Sequence, residues 1–288
     1  MDNDSRRRHR LLALAIAVVA VAGVVVFLWL NRTRVERAYE HLSGNAASQM
    51  HVDVSRDEYP VKGIDISHYQ GDIDFRRVAA DSVEFVMIKA TEGIDHVDTC
   101  MTRNYYGAKG AGLKTGFYHF FRFDRGGVRQ GRHFDRVTRG LPVELPLVID
   151  VETANNPAED YYKVVGRLRD MISFLRRHGH RVMIYCNTVT YETYIRGNFE
   201  GTDLWIASEY EACATGDRRL LWQHSHNGRV DGIRTAVDIN TFNGTRQAFN
   251  DWLASEGDLV IYGKSADADS LSADSIATHT DSIAAPMQ

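Results

Sequence analysis

Apolar and polar positions alternate in two rhythms between residues 61 and 253. Eight short apolar runs bounded by turn residues predict strands: Val61–Ile66, Phe85–Lys89, Thr115–Phe121, Leu147–Glu152, Arg181–Cys186, Asp203–Ala207, Leu220–His224 and Thr235–Ile239. Five amphipathic stretches fall between them and predict helices: Phe75–Asp81, Thr99–Ala111, Gly127–Thr138, Ala158–His178 and Val189–Ile195. The fourth carries Val164, Val165, Leu168, Met171, Ile172 and Leu175, a stripe with the 3.6-residue period of a helix packed on one face. After Asp203 the rhythm changes, because segments 208–219 and 225–234 are too short and polar for a packed helix. Strands that alternate with helices predict an α/β fold: an irregular TIM-like barrel of eight strands, spanning residues 60–256. An open doubly wound sheet fits the same alternation. Thr245–Leu253 predicts a closing helix with Phe249, Trp252 and Leu253 on one side, and Leu259–Tyr262 one further strand.

Both ends of the chain break this pattern. Residues 11–30 contain no polar side chain and follow a basic segment at 1–10, Arg6-Arg7-Arg8-His9-Arg10. Twenty apolar residues match the thickness of a bilayer core. A cleaved signal is the other reading, but the run ends in Phe27-Leu28-Trp29-Leu30 rather than small residues. Four Arg precede the span and three, diluted by Glu36 and Glu40, follow it. The positive-inside rule therefore predicts a single-pass transmembrane signal anchor with a cytoplasmic N-terminus, the rest lying on the periplasmic or extracellular side. Residues 31–59 read as a stalk. Residues 257–288, rich in Ala, Ser and Asp, are too poor in large apolar side chains to fold and are expected to be disordered.

Charge adds one exclusion. The net charge of -4 combines about +4 in residues 1–37 with about -4 from residue 257 onward, and no basic stripe marks the region between. Nucleic acid is therefore not an expected partner. Three cysteines, Cys100, Cys186 and Cys213, are too few and scattered for a zinc site or a disulfide framework; one disulfide or buried thiols both fit. No metal and no cofactor is expected.

The candidate chemistry collects at the strand ends. Asp150 and Glu152 stand two apart at the end of the fourth strand, so both project the same way. Asp65 ends the first strand and Asp238 lies in the last; in a barrel they converge with the pair on one mouth. Packing like charges together is costly without a function, and mutual repulsion keeps one acid protonated beside charged neighbours. Tyr118 and His119, Tyr185, Trp205, Trp222 and Gln223 fall at the ends of other strands and are candidates for substrate contact. Aromatic rings beside carboxylates suit a pyranose, and an acid with a carboxylate suits glycoside cleavage. Core packing would explain His119 and the aromatics equally well, and a structural ion pair would explain Lys89 with Glu92.

Six ordered motifs carry a resemblance. They are Gly63-Ile64-Asp65-Ile66-Ser67-His68-Tyr69-Gln70-Gly71, Phe85-Val86-Met87-Ile88-Lys89-Ala90-Thr91-Glu92-Gly93, Gly116-Phe117-Tyr118-His119-Phe120, Leu147-Val148-Ile149-Asp150-Val151-Glu152, Leu221-Trp222-Gln223 and Val237-Asp238-Ile239-Asn240. Together, over residues 61–253, the chain resembles glycoside hydrolase family 25, the Chalaropsis-type lysozymes. The resemblance implies an irregular TIM barrel that hydrolyses, with retention and without metal, the β-1,4 bond between N-acetylmuramic acid and N-acetylglucosamine in peptidoglycan glycan strands. It implies Glu152 as general acid/base, Asp150 as nucleophile or as the group that steers the substrate's own N-acetyl, and Asp65 and Asp238 as acids that set the charge of the pocket. A non-catalytic peptidoglycan-binding barrel and a hydrolase of another amino-sugar polymer are the rival expectations.

Overall fold

The computed structural model describes residue 54, residues 57–209 and residues 218–255. The expected transmembrane span, most of the stalk, the strand at 259–262 and the C-terminal tail lie outside the described residues. Among the described residues no helix is long and apolar enough to cross a membrane.

Strand and helix alternate through the first two thirds of the domain. In chain order they are β1 (Lys62–Ile66), α1 (Phe75–Ala80), β2 (Val83–Glu92), β3 (His96–Val97), α2 (Met101–Gly110), β4 (Lys114–Phe120), α3 (Gly127–Thr138), β5 (Leu147–Asp150), α4 (Tyr161–Arg177) and β6 (Val182–Asn187). A helical segment, α5 (Thr188–Thr190), runs into a π-helical turn (Tyr191–Ile195). Then β7 (Asp203–Ala207), β8 (Arg219–Gly228) and β9 (Val237–Phe242) follow almost directly, and α6 (Arg246–Ala254) closes the domain. The helix starts are written in the sequence: Asp74, Asp160 and Thr245 each accept a hydrogen bond from a first-turn amide of the helix that follows.

The strands form one sheet in the order β1-β9-β8-β7-β6-β5-β4-β2, and β1 also pairs with β2, so these eight close into a barrel. The two-residue β3 is an antiparallel flap on the end of β2. An open sheet is thereby excluded. Neighbours from β2 to β8 run parallel, but β9 is antiparallel to both β8 and β1. The reason is the connection: residues 229–236 are too few for the helical crossover that a parallel neighbour needs. Asp238 therefore reaches the mouth from the start of an antiparallel strand, not from a carboxyl end as the sequence pattern suggests.

The strands carry two cores. Outward-facing Ile64, Ile88, Phe117, Ile149, Ile184 and Ile206 pack under the helices. Inward-facing Phe85, Met87, Val148, Met183, Leu221 and Phe242 fill the lower barrel, where Phe249 of α6 plugs the base. Two glycines make room for this filling. A Cβ on Gly63 would stand 2.2 Å from the Phe85 ring, and one on Gly116 2.5 Å from the Met87 sulfur. Apolar packing fills the lower half of the barrel; the upper half of the interior is polar.

Gly63→Ala is accordingly expected to lower unfolding free energy by about 1–3 kcal/mol, the usual cost of overpacking. Urea unfolding checks this, and trimming the ring in Gly63→Ala/Phe85→Leu should recover part of the loss.

Candidate active site

Above the apolar plug the interior opens into a cavity of about 450 Å³, lined among others by Asp65, Lys89, Glu92, Tyr118, Asp150, Glu152, Tyr185, Trp205 and Asp238. The period-two rule delivers these side chains: Val148 and Asp150 face inward along β5, and Glu152 continues that face one step past its end. The segment after Glu152 is pinned by Asn156, whose Nδ2 donates to the carbonyls of Phe121 and Glu152 at 2.9 Å each while its Oδ1 accepts from Phe123 N at 2.8 Å.

All four predicted acids meet in this cavity. Asp65 and Asp238 sit directly opposite each other in the β1–β9 register. Asp65 is nearly buried, and its Oδ2 accepts two hydrogen bonds of 2.8 Å, from Gln223 Nε2 and Asn240 Nδ2. Burial and the charge of Asp238 still hold its proton affinity well above the ordinary carboxylate value; the two amides oppose them. Asp150 is pushed the same way, by burial first and then by the charge of Glu152, with Lys89 opposing. Its Oδ1 is buried without a hydrogen-bond partner. Such an atom weakens a fold and has no structural justification. Glu152 is also raised, by burial, against the lowering effects of His226 and the Tyr185 hydroxyl. A buried carboxyl group that retains its proton beside a second carboxyl can donate it, while the second stabilises positive charge.

The amides and tyrosines form a continuous scaffold. Tyr185 Oη donates to Gln223 Oε1 at 2.7 Å, Gln223 donates on to Asp65, and Trp205 Nε1 donates to Asn240 Oδ1 at 2.9 Å. Burial, reinforced by the surrounding carboxylates, raises Tyr118 and Tyr185 well above a free phenol, so both are neutral hydrogen-bonding groups. Of the predicted contact residues, Tyr118, Tyr185 and Trp205 line the cavity. Gln223 does not; it is buried behind Asp65 and orients it.

Two predicted contacts are corrected. His119 faces outward, fully buried between Thr91 Oγ1 at 2.7 Å and Gln130 Oε1 at 3.2 Å, with its ring against Phe134. Burial lowers it to about 3, so it is a neutral core residue. Trp222 also lies on the outer side of its strand, with Nε1 donating to the Ser208 carbonyl at 2.7 Å and its ring against Tyr59. Each sits one position from an inward residue, Tyr118 and Gln223, and a one-residue step on a strand reverses the face.

Other groups reach the site without having been predicted there. Lys89 does form the expected ion pair with Glu92, at 3.1 Å, but both line the cavity. Tyr69, on the turn after β1, stands 75% exposed at its rim, with its ring tilted against that of His68. His226 Nδ1 lies 3.2 Å from Asp238 Oδ1. Tyr69 was legible as a ring inside the first motif; His226 carried no signal, since only tertiary pairing brings it to Asp238. Among the described residues no cluster of His, Cys, Asp and Glu could hold a metal ion.

Comparison with known proteins places this geometry. A family model described as "Glycosyl hydrolases family 25" matches residues 64–233. A protein of Escherichia coli named YegX is 35% identical over 195 residues, covering 65% of this chain and 71% of its own length. The autolytic lysozyme of Clostridium acetobutylicum is 34% identical over 183 residues, covering 63% of this chain and 56% of that protein. Among solved structures, a family 25 glycosyl hydrolase from Bacillus anthracis superposes with a TM-score of 0.64 at 33% identity, over 70% of this chain and 96% of its own.

The raised proton affinities of Asp65 and Asp150 make stability depend on pH. Each binds its proton more tightly folded than unfolded, so its contribution is complete below the ordinary value of 3.8 and is lost as pH rises through the folded value. Asp150→Asn should therefore match wild type in thermal unfolding near pH 3.8 and exceed it at neutral pH. Equal melting temperatures at neutral pH would refute the assigned cost.

Proposed function

The chain belongs to glycosyl hydrolases family 25, and we propose that it is a peptidoglycan muramidase whose chemistry is carried by Asp150 and Glu152. The supporting observation is the pair itself: two inward carboxyls in one cavity, one with a buried oxygen lacking any hydrogen bond, held on a barrel that gains nothing structural from them. The likeness to an autolytic lysozyme and to a family 25 hydrolase supports the substrate class.

In this reading the glycan strand lies across the mouth, with one sugar in the cavity against Tyr118, Tyr185 and Trp205. Glu152, kept protonated by burial, gives its proton to the glycosidic oxygen between N-acetylmuramic acid and N-acetylglucosamine. Positive charge then develops at the anomeric carbon, and ionised Asp150 meets it, either by bonding to that carbon or by orienting the N-acetyl group that does. Burial raises Asp150, but while Glu152 keeps its proton it no longer adds a repelling charge, and Lys89 then favours the ionised form of Asp150. Deprotonated Glu152 next activates water, which completes hydrolysis with retention. The acidic pair Asp65 and Asp238, opposite each other and sharing negative charge, favours the cationic transition state. No step needs a cofactor.

We also propose that residues 11–30 anchor the enzyme in the cytoplasmic membrane, with the barrel displayed outside, where peptidoglycan lies. The uncharged apolar run and its basic flank support this reading.

Two experiments test these readings. Glu152→Gln should release reducing ends from peptidoglycan about 10²–10⁴-fold more slowly than wild type, and the wild-type products should carry muramic acid at the reducing end. Equal rates would overturn the role of Glu152; products ending in glucosamine would redirect the enzyme to another bond. The full chain should remain in membranes washed with alkaline carbonate, with its barrel digested by protease added to spheroplasts. Recovery of a soluble product cleaved after residue 30 would overturn the anchor.

A further inference from the structure

The β8 strand carries an irregularity whose effect falls on the active site. Its register with β9 slips twice, between Gln223 and Ser225 and between Ser225 and Gly228. Such bulges re-aim side chains. The irregular stretch holds His226, whose Nδ1 comes to 3.2 Å from Asp238 Oδ1 and whose backbone N–H donates to Glu209 Oε1 at 3.2 Å. The position falls between the fifth and sixth sequence motifs and belongs to neither.

The charged groups that act most strongly on this imidazole are acidic. Asp238 comes from β9, Glu209 from the connection after β7 and Asp65 from β1. Glu152, beyond β5, feels the imidazole's charge in turn. The hydrogen bond to Asp238 favours the imidazolium, raising His226 above its ordinary value against the effect of burial. Two basic side chains on separate elements thus act on these acids, Lys89 on Asp150 and His226, through its hydrogen bond, on Asp238.

We propose that His226 is a positioning residue for the proton donor: as a cation bonded to Asp238 it offsets that carboxylate's charge and so sets the pH at which Glu152 releases its proton. The inference rests on the reading of Glu152 as the general acid. Asp238 and His226 act on Glu152 with opposite sign, the carboxylate holding the proton and the imidazolium loosening it. Without His226 the negative charge of Asp238 is uncompensated and Glu152 keeps its proton to higher pH. Asp238 itself loses its cationic partner. His226 is half exposed, so replacing it leaves the packed barrel intact.

The test compares pH profiles of kcat/KM for wild type, His226→Gln and His226→Lys on soluble peptidoglycan fragments, with Glu152→Gln alongside. In His226→Gln the descending limb should move to higher pH by about half a unit or more, the scale of one charge acting across a partly solvated site. His226→Lys, which restores a cation, should bring the limb back toward wild type. A merely structural role would lower the rate without moving the limb. Superimposable profiles for wild type and His226→Gln, or equal shifts in both variants, would overturn the proposal. If Glu152→Gln keeps the wild-type rate, the general-acid reading fails instead. If Glu152→Gln is inactive and the His226→Gln limb is unmoved, only the inference about His226 fails.

Discussion

Carboxyl groups crowded into one low-dielectric cavity are the constraint around which this domain is built. Asp65, Asp150, Glu152 and Asp238 repel one another, and burial adds to the cost of their charges. The surrounding polar architecture reads as the means of containing that cost. Gln223 and Asn240 donate to one oxygen of Asp65, Lys89 acts on Asp150, and His226 is paired with Asp238. Asp150 Oδ1 is left without a partner, so the relief stops at the carboxylate that the proposed chemistry uses most directly.

A rigid support below makes the arrangement tolerable. Phe85, Met87, Val148, Met183, Leu221 and Phe242 fill the lower barrel, and α6 seals it with Phe249. Gly63 and Gly116 are part of that support, because close packing of Phe85 and Met87 leaves no room for a Cβ. The apolar half holds the strands at fixed spacing while the polar half spends some of the resulting stability on preorganised charge. The division matches the general trade between stability and activity.

Strand register decides which residues belong to the site. Tyr118 faces the cavity, and His119 next to it is locked in the outer core by Thr91 and Gln130. Gln223 orients Asp65, while Trp222 beside it packs outside against Tyr59. Local bulges modify the same rule. The slip between Lys89 and Thr91 lets both Lys89 and Glu92 reach the cavity, and those in β8 bring His226 to Asp238.

Much of this was legible in the order of residues. Hydrophobic period located the strands, the helices and the closing helix, because burial of one face leaves a periodic trace. The i, i+2 spacing of Asp150 and Glu152 placed both on one side, since strand geometry allows nothing else. Two things required the folded chain. Closure of β1 on β9, antiparallel, depends on pairings between residues more than a hundred positions apart, such as Asp65 with Asp238, which no local pattern records. The inward or outward fate of His119, Trp222, Lys89 and His226 turned on register and single-residue bulges, to which residue type is blind. Sequence therefore determined which acids this protein buries; tertiary structure alone decided which neighbours make their burial bearable.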